Sequence, residues 1–174
     1  MRADAQTAPP VQPEQIADLG GDMRRISVGG RLAYVGENIG GSGVLSVLDL
    51  SSTPRRVGRV ALPGAVVGMA RAGSIVYAGV ELQNGFDQIV LVDVTNVLSP
   101  VLRGVYTLES TDTPTQLVAV GSRLYFGGGD YAGVTLLNVS NPDSPSFVKI
   151  FGAGSNFIAR DSSASHCPSM LSRG

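Results

Sequence analysis

The carboxylates are the first residues whose types and spacing could do chemistry. In "IVLVDVTNVLSP" (89–100), Asp93 interrupts an apolar run, where an acid could serve as a catalyst or a metal ligand. Glu37, Glu81, Asp87 and Asp130 fall in the polar stretches "ENIGGSG" (37–43), "ELQNGFDQ" (81–88) and "GGDYAG" (128–133), and Tyr131 adjoins the last of them. With Asp22 and Asp112 they offer hard oxygen donors of the kind that hold Ca²⁺. None of these stretches has the D-x-D-x-D-G spacing of a dedicated Ca²⁺ loop. A solvated acidic rim is the plainer expectation, because Asp and Glu are normally exposed. No metal, cofactor or catalytic residue is therefore assigned, and Glu37, Glu81, Asp87, Asp130 and Tyr131 are retained as candidate ligand-binding residues.

Three other features spell chemistry without the context it requires. His166 and Cys167 adjoin in a Ser-rich tail, but a nucleophile pair must be placed by a fold, and one Cys with one His cannot build a zinc site. "GGGDYA" (127–132) matches the G-x-G-x-x-A phosphate fingerprint, which needs a helix after it. The segment after it, "VTLLNV", has the pattern of a strand instead. Asn138-Val139-Ser140 is a glycosylation sequon by spelling, at a strand end.

The elements that must carry these residues are repeated. "GGRLAYVG" (29–36), "AGSIVYAG" (72–79) and "VGSRLYFG" (120–127) share one pattern, and "VLSVLDLSSTP" (44–54), "IVLVDVTNVLSP" (89–100) and "VTLLNVSNPDSP" (134–145) share another. Superposing them aligns Asp49, Asp93 and Asn138, and aligns Tyr34, Tyr77 and Tyr125. The period of about 45 residues lies in the range of four-stranded propeller blades. Small-residue runs before the first pattern (23–28, 66–72, 115–120) and mixed runs after the second (55–62, 101–108, 146–151) supply the remaining two strands. Each unit then reads a–b–c–d. Strand c is almost continuously apolar, which suits burial on both faces. Strand d carries Arg56, Arg59, Arg103 and Lys149, charges that blunt a sheet edge.

The alignment reinterprets Asp93. Asn138 holds the same place one unit on, and an amide oxygen can accept a turn hydrogen bond but cannot act as an acid. The expectation is an Asx turn, in which the side chain accepts a backbone N–H just beyond it. One tyrosine per unit at a fixed place likewise reads as blade packing.

Composition sets the outer bounds. The 174 residues include 23 Gly, are 43% hydrophobic and only 16% charged, and carry a net charge of −1. That profile favours short strands and tight turns. The densest basic spots are the pairs Arg24–Arg25 and Arg55–Arg56, which make no case for nucleic acid. No apolar run reaches the roughly 18 residues of a membrane helix, so membrane insertion is not expected. The N-terminus lacks the apolar segment of a signal peptide.

The expected fold is all-β: a propeller-like array of about three four-stranded antiparallel blades in an incomplete ring. Residues 1–12 read as a disordered N-terminal segment, 13–160 as blades (units 22–64, 65–112 and 113–155), and 161–174 as a disordered tail outside the repeat. "PEQIADLGG" (13–21) reads as the strand d of a preceding blade and "SNFIAR" (155–160) as a fresh strand a. The chain thus reads as a truncated or frameshifted piece of a longer protein. Alternatively, two chains pair through their exposed end blades, which a measurement of size in solution distinguishes.

The block Leu91-Val92-Asp93-Val94-Thr95-Asn96 with Ser99-Pro100, its copy at Leu137 to Pro145, and Gly30 to Gly36 resemble the LVIVD-repeat family of bacterial and archaeal proteins. The likeness covers roughly 13–160. The first unit departs from it, with a shorter run from Asp49 to Pro54, and the third has Asn138 for the acid, so an obligatory carboxylate is not implied. The resemblance implies a β-propeller on a secreted or cell-surface protein, without a common catalytic site. The functional expectation is a non-enzymatic binding or scaffold module for a protein or glycan. The alternative is a fragment of a propeller-fold hydrolase or lyase.

Overall fold

The computed structural model describes residues 21–83, 85–109, 113–128 and 133–152. Within them the chain is all-β, with no helix and three separate four-stranded antiparallel sheets, none closed into a barrel. The first blade comprises β1 (Asp22–Gly29), β2 (Leu32–Ile39), β3 (Ser42–Asp49) and β4 (Arg55–Leu62). The second comprises β5 (Ala65–Ala72), β6 (Ile75–Glu81), β7 (Gln88–Asp93) and β8 (Val101–Thr107). The third comprises β9 (Gln116–Val120), β10 (Arg123–Gly127), β11 (Val134–Asn138) and β12 (Ser146–Phe151). Each sheet is a meander in chain order. The stretches 13–20 and 155–160, Asp112, Asp130, Tyr131 and the His166–Cys167 pair lie outside the described residues.

The blades stack face to face. Alternation along β2 sends Tyr34 one way and Ala33, Val35 and Glu37 the other. Tyr34, Leu45 and Val47 join Val66, Val76, Ala78, Val80, Val90 and Val92 in one apolar core between the first and second blades. The opposite face of the second blade contributes Tyr77, Ile89 and Leu91 to a second core with Leu117, Leu124, Phe126 and Leu137 of the third. The strand c run Ile89–Val92 is fully buried because each face meets a different blade. Burial at roughly 25 cal/mol per Å² of apolar surface makes these two cores the main source of stability.

Strand d departs from simple alternation. The register between strands c and d shifts at the same place in all three blades: at Val47/Leu48, between Val90 and Val92, and at Leu136/Leu137. Such a bulge re-aims the side chains beside it. After this shift Gly58 lies opposite Val47, Gly104 lies beside Leu91, and Lys149 lies opposite Leu136.

The strand b to c connection of the first blade is tighter than its sequence implies. "ENIGGSG" reads as a polar loop, yet Ile39 pairs with Ser42 and only Gly40 and Gly41 turn the chain. Their φ angles are 57° and 85°. Positive φ at both central residues is the type I′ hairpin turn, which glycine adopts without steric cost. Glu37 is therefore a strand residue.

Candidate functional site

Strand c ends in the same turn three times. The Ser51 N–H donates to Asp49 Oδ1 at 3.0 Å, Thr95 N–H to Asp93 Oδ1 at 2.8 Å, and Ser140 N–H to Asn138 Oδ1 at 3.0 Å. In the second and third turns a further pair repeats: Leu98 N–H donates to Asn96 Oδ1 and Asp143 N–H to Asn141 Oδ1. The next residue of each turn is tied to strand a–b: Leu50, Val94 and Val139 donate to the carbonyls of Arg31, Ser74 and Ser122. The Ser51 hydroxyl and then its N–H hold the Asp49 carboxyl below the usual range. Donation by Thr95, with Arg103 adding, does the same for Asp93. The acid that interrupts the apolar run is thus a turn-forming acceptor.

Arg103 adds a polar link across the second and third blades. Its Nε and a terminal nitrogen each lie 2.6 Å from an oxygen of Asp143, and its other terminal nitrogen lies 3.2 Å from Asp93 Oδ2. This paired geometry lowers the Asp143 carboxyl pKa and raises that of the guanidinium. The sequence marks Arg103 only as a strand d edge charge and does not mark Asp143. The signal for them is the superposition of strand d and of the c–d turns, which sets Arg103 against Val57 and Asp143 against Leu98.

Among the described residues, Glu37, Glu81, Asp87 and Asp22 do not gather into the expected acidic rim. Glu37 is completely buried on the face turned away from the second blade, and neither carboxylate oxygen has a hydrogen-bond partner. The nearby Ser46 hydroxyl on the same face is also buried without one. The double-glycine turn extends the strand past Glu37 and so takes it off the rim. Asp87 is 7% exposed; its Oδ1 accepts the Leu82 N–H and its carbonyl accepts the Leu108 N–H, so it closes its own loop. Glu81 ends β6 and is exposed. Asp22 is exposed and pairs with Arg24 at 2.9 Å. Among the described residues, no three His, Cys, Asp or Glu side chains gather as a metal site.

The tyrosines divide in two. Tyr34 is buried between blades with the Arg71 guanidinium 5.3 Å from its ring centroid. Tyr77 is buried at the next interface, which pushes its hydroxyl pKa up. Tyr125 is only half-buried, because it lies on the third blade's face turned away from the second. That face holds an open hollow of about 660 Å³ lined by Ser122, Arg123, Tyr125, Leu136, Asn138, Val148, Lys149 and Phe151.

No protein-family model matches the chain, and no curated protein matches it.

Proposed function

We propose that the chain is a non-enzymatic binding or scaffold module, built of propeller-like blades of the LVIVD-repeat type. The observation that carries this reading is the fate of the repeated acid. Asp49, Asp93 and Asn138 each spend a side-chain oxygen on the N–H two residues ahead. The polar position common to all three units is thus consumed by architecture, and recognition falls to loops and open faces. As the resemblance implies, the setting is a secreted or cell-surface protein and the partner a protein or glycan.

The test pairs binding with turnover. The labelled full chain is applied to arrays of glycans and extended peptides, and assayed in parallel against chromogenic esters and polyuronates. Saturable binding without turnover is expected. Turnover abolished by a single substitution in a blade would replace this reading with the hydrolase or lyase alternative.

A further inference from the structure

We propose that the outer face of the third blade binds an acidic, extended polypeptide segment. The inference deepens, and rests on, the binding-module reading above.

On the other two blades the same face is covered by the next blade's c–d turn. On the first, a Cβ built on Gly58 would collide with the carbonyl oxygen of Val97, in the second blade's c–d turn. On the second, a Cβ on Gly104 would collide with the carbonyl oxygen of Pro142, in the third blade's c–d turn. Glycine at this point of strand d is what lets the next blade's turn rest on the sheet. The third blade has Lys149 there, opposite Leu136. Its Cβ occupies the space that a further turn would need, so a fourth blade cannot seat as the second and third do.

The face is furnished for a different occupant. Lys149 extends over Phe151, with Nζ 4.2 Å from the ring centroid, and Arg123 borders the same hollow. Among the described residues lining it, none is acidic. The position that supplies a carboxylate in the other blades is Asn138, which makes the same turn bond without a negative charge. Two cations thus border an apolar lining of Tyr125, Val148 and Phe151 above the buried Leu136, with no counter-charge among the described lining residues. Both cations are exposed, and a pair of like charges on one face attracts carboxylates and steers their approach. The occupant is polypeptide because both equivalent faces already receive polypeptide, and at one of them Arg103 holds a carboxylate of the incoming turn, Asp143. Lys149 holds such a chain farther from the sheet, within reach of its own ammonium group.

The experiment uses the full chain and a fluorescein-labelled peptide of alternating glutamate and tyrosine, followed by fluorescence anisotropy. Saturable binding that weakens with added salt is expected. Arg123→Glu and Lys149→Glu are each expected to weaken it by about tenfold. Arg24→Glu, on the first blade, leaves it unchanged, and the matching lysine–tyrosine peptide does not bind. Lys149→Gln, with an unchanged thermal transition, gives an intermediate loss and guards against misfolding. Binding that ignores substitutions at both 123 and 149 overturns the assignment of this face but leaves a binding module elsewhere on the chain. No binding of the acidic peptide, or tighter charge-dependent binding of a sulfated glycan at these residues, overturns the peptide as occupant. Only failure on the arrays as well removes the binding-module reading itself.

Discussion

The two interfaces between blades share a backbone arrangement and differ in what fills it. In both, a strand d glycine receives the carbonyl of the next c–d turn, from Val97 at Gly58 and from Pro142 at Gly104. In both, a strand b glycine lets the next blade close in: Gly36 against Val66, and Gly79 against Pro114. The side chains then diverge. The first interface is mostly valine, with Val57 and Val97 packed at its margin, and Asn38 Oδ1 accepts the Val66 N–H across it at 2.7 Å. The second is leucine and aromatic, and its margin is the Arg103–Asp143 pair. The docking is thus set by where side chains are missing, while the chemistry around the gaps differs between the two interfaces.

The largest effect should come from closing those gaps. Gly58→Ala and Gly104→Ala each force a methyl into a backbone carbonyl and should cost about 1–3 kcal/mol, as overpacking does. Urea unfolding measures it, and a loss at one site alone would break the parallel between the interfaces. An opposite change is expected on the outer face of the first blade. Glu37 stands where the second blade has Val80, buried in the valine core. Glu37→Val should stabilise by about 1–2 kcal/mol, because it removes a buried carboxylate without hydrogen bonds; destabilisation in the same assay would mean that Glu37 has a partner in solution.

Smaller effects test the margin. Arg103→Val or Asp143→Leu alone should lower the thermal midpoint slightly at low salt and less at high salt, as expected of an exposed ion pair. The double variant rebuilds the Val57–Leu98 combination and should recover most of the loss; two additive losses would show that the margins are not interchangeable. Smallest is the pH dependence. The Asp93 and Asp143 carboxyls lie below their ordinary pKa in the folded chain, so their stabilisation is complete above the unfolded value of about 4 and disappears as pH falls through the lower folded values. Chemical denaturation from pH 6 down to pH 2 should show this decline, and Asp143→Asn should flatten part of it.

Much of the architecture is legible in the sequence because strand c and its turn repeat with little change. The alignment of Asp93 with Asn138 is enough to identify a turn residue. Strand d is harder to read for a physical reason: Gly58, Gly104 and Lys149 are each the fourth residue of "RRVGRVAL", "VLRGVYTL" and "SFVKIF", but a register shift breaks the two-residue alternation, so counting matches them without showing which face they occupy. Glu37 has the look of a rim residue because a polar, glycine-rich string has the composition of a loop, while two positive-φ glycines suffice to turn a continuous hairpin. Asp87 has the composition of a rim ligand, and only the fold shows that Leu82 occupies its carboxylate.

Among the described residues, every sheet pairing joins strands adjacent in sequence, so each blade can assemble without waiting for a distant part of the chain, and the loop-closure entropy is modest. The middle blade alone has both faces covered by described neighbours. Its strands β6 and β7 are the place where local opening must disturb two cores at once. In heavy water their amides should be the last to take up deuterium, with exchange spreading inward from both ends of the row.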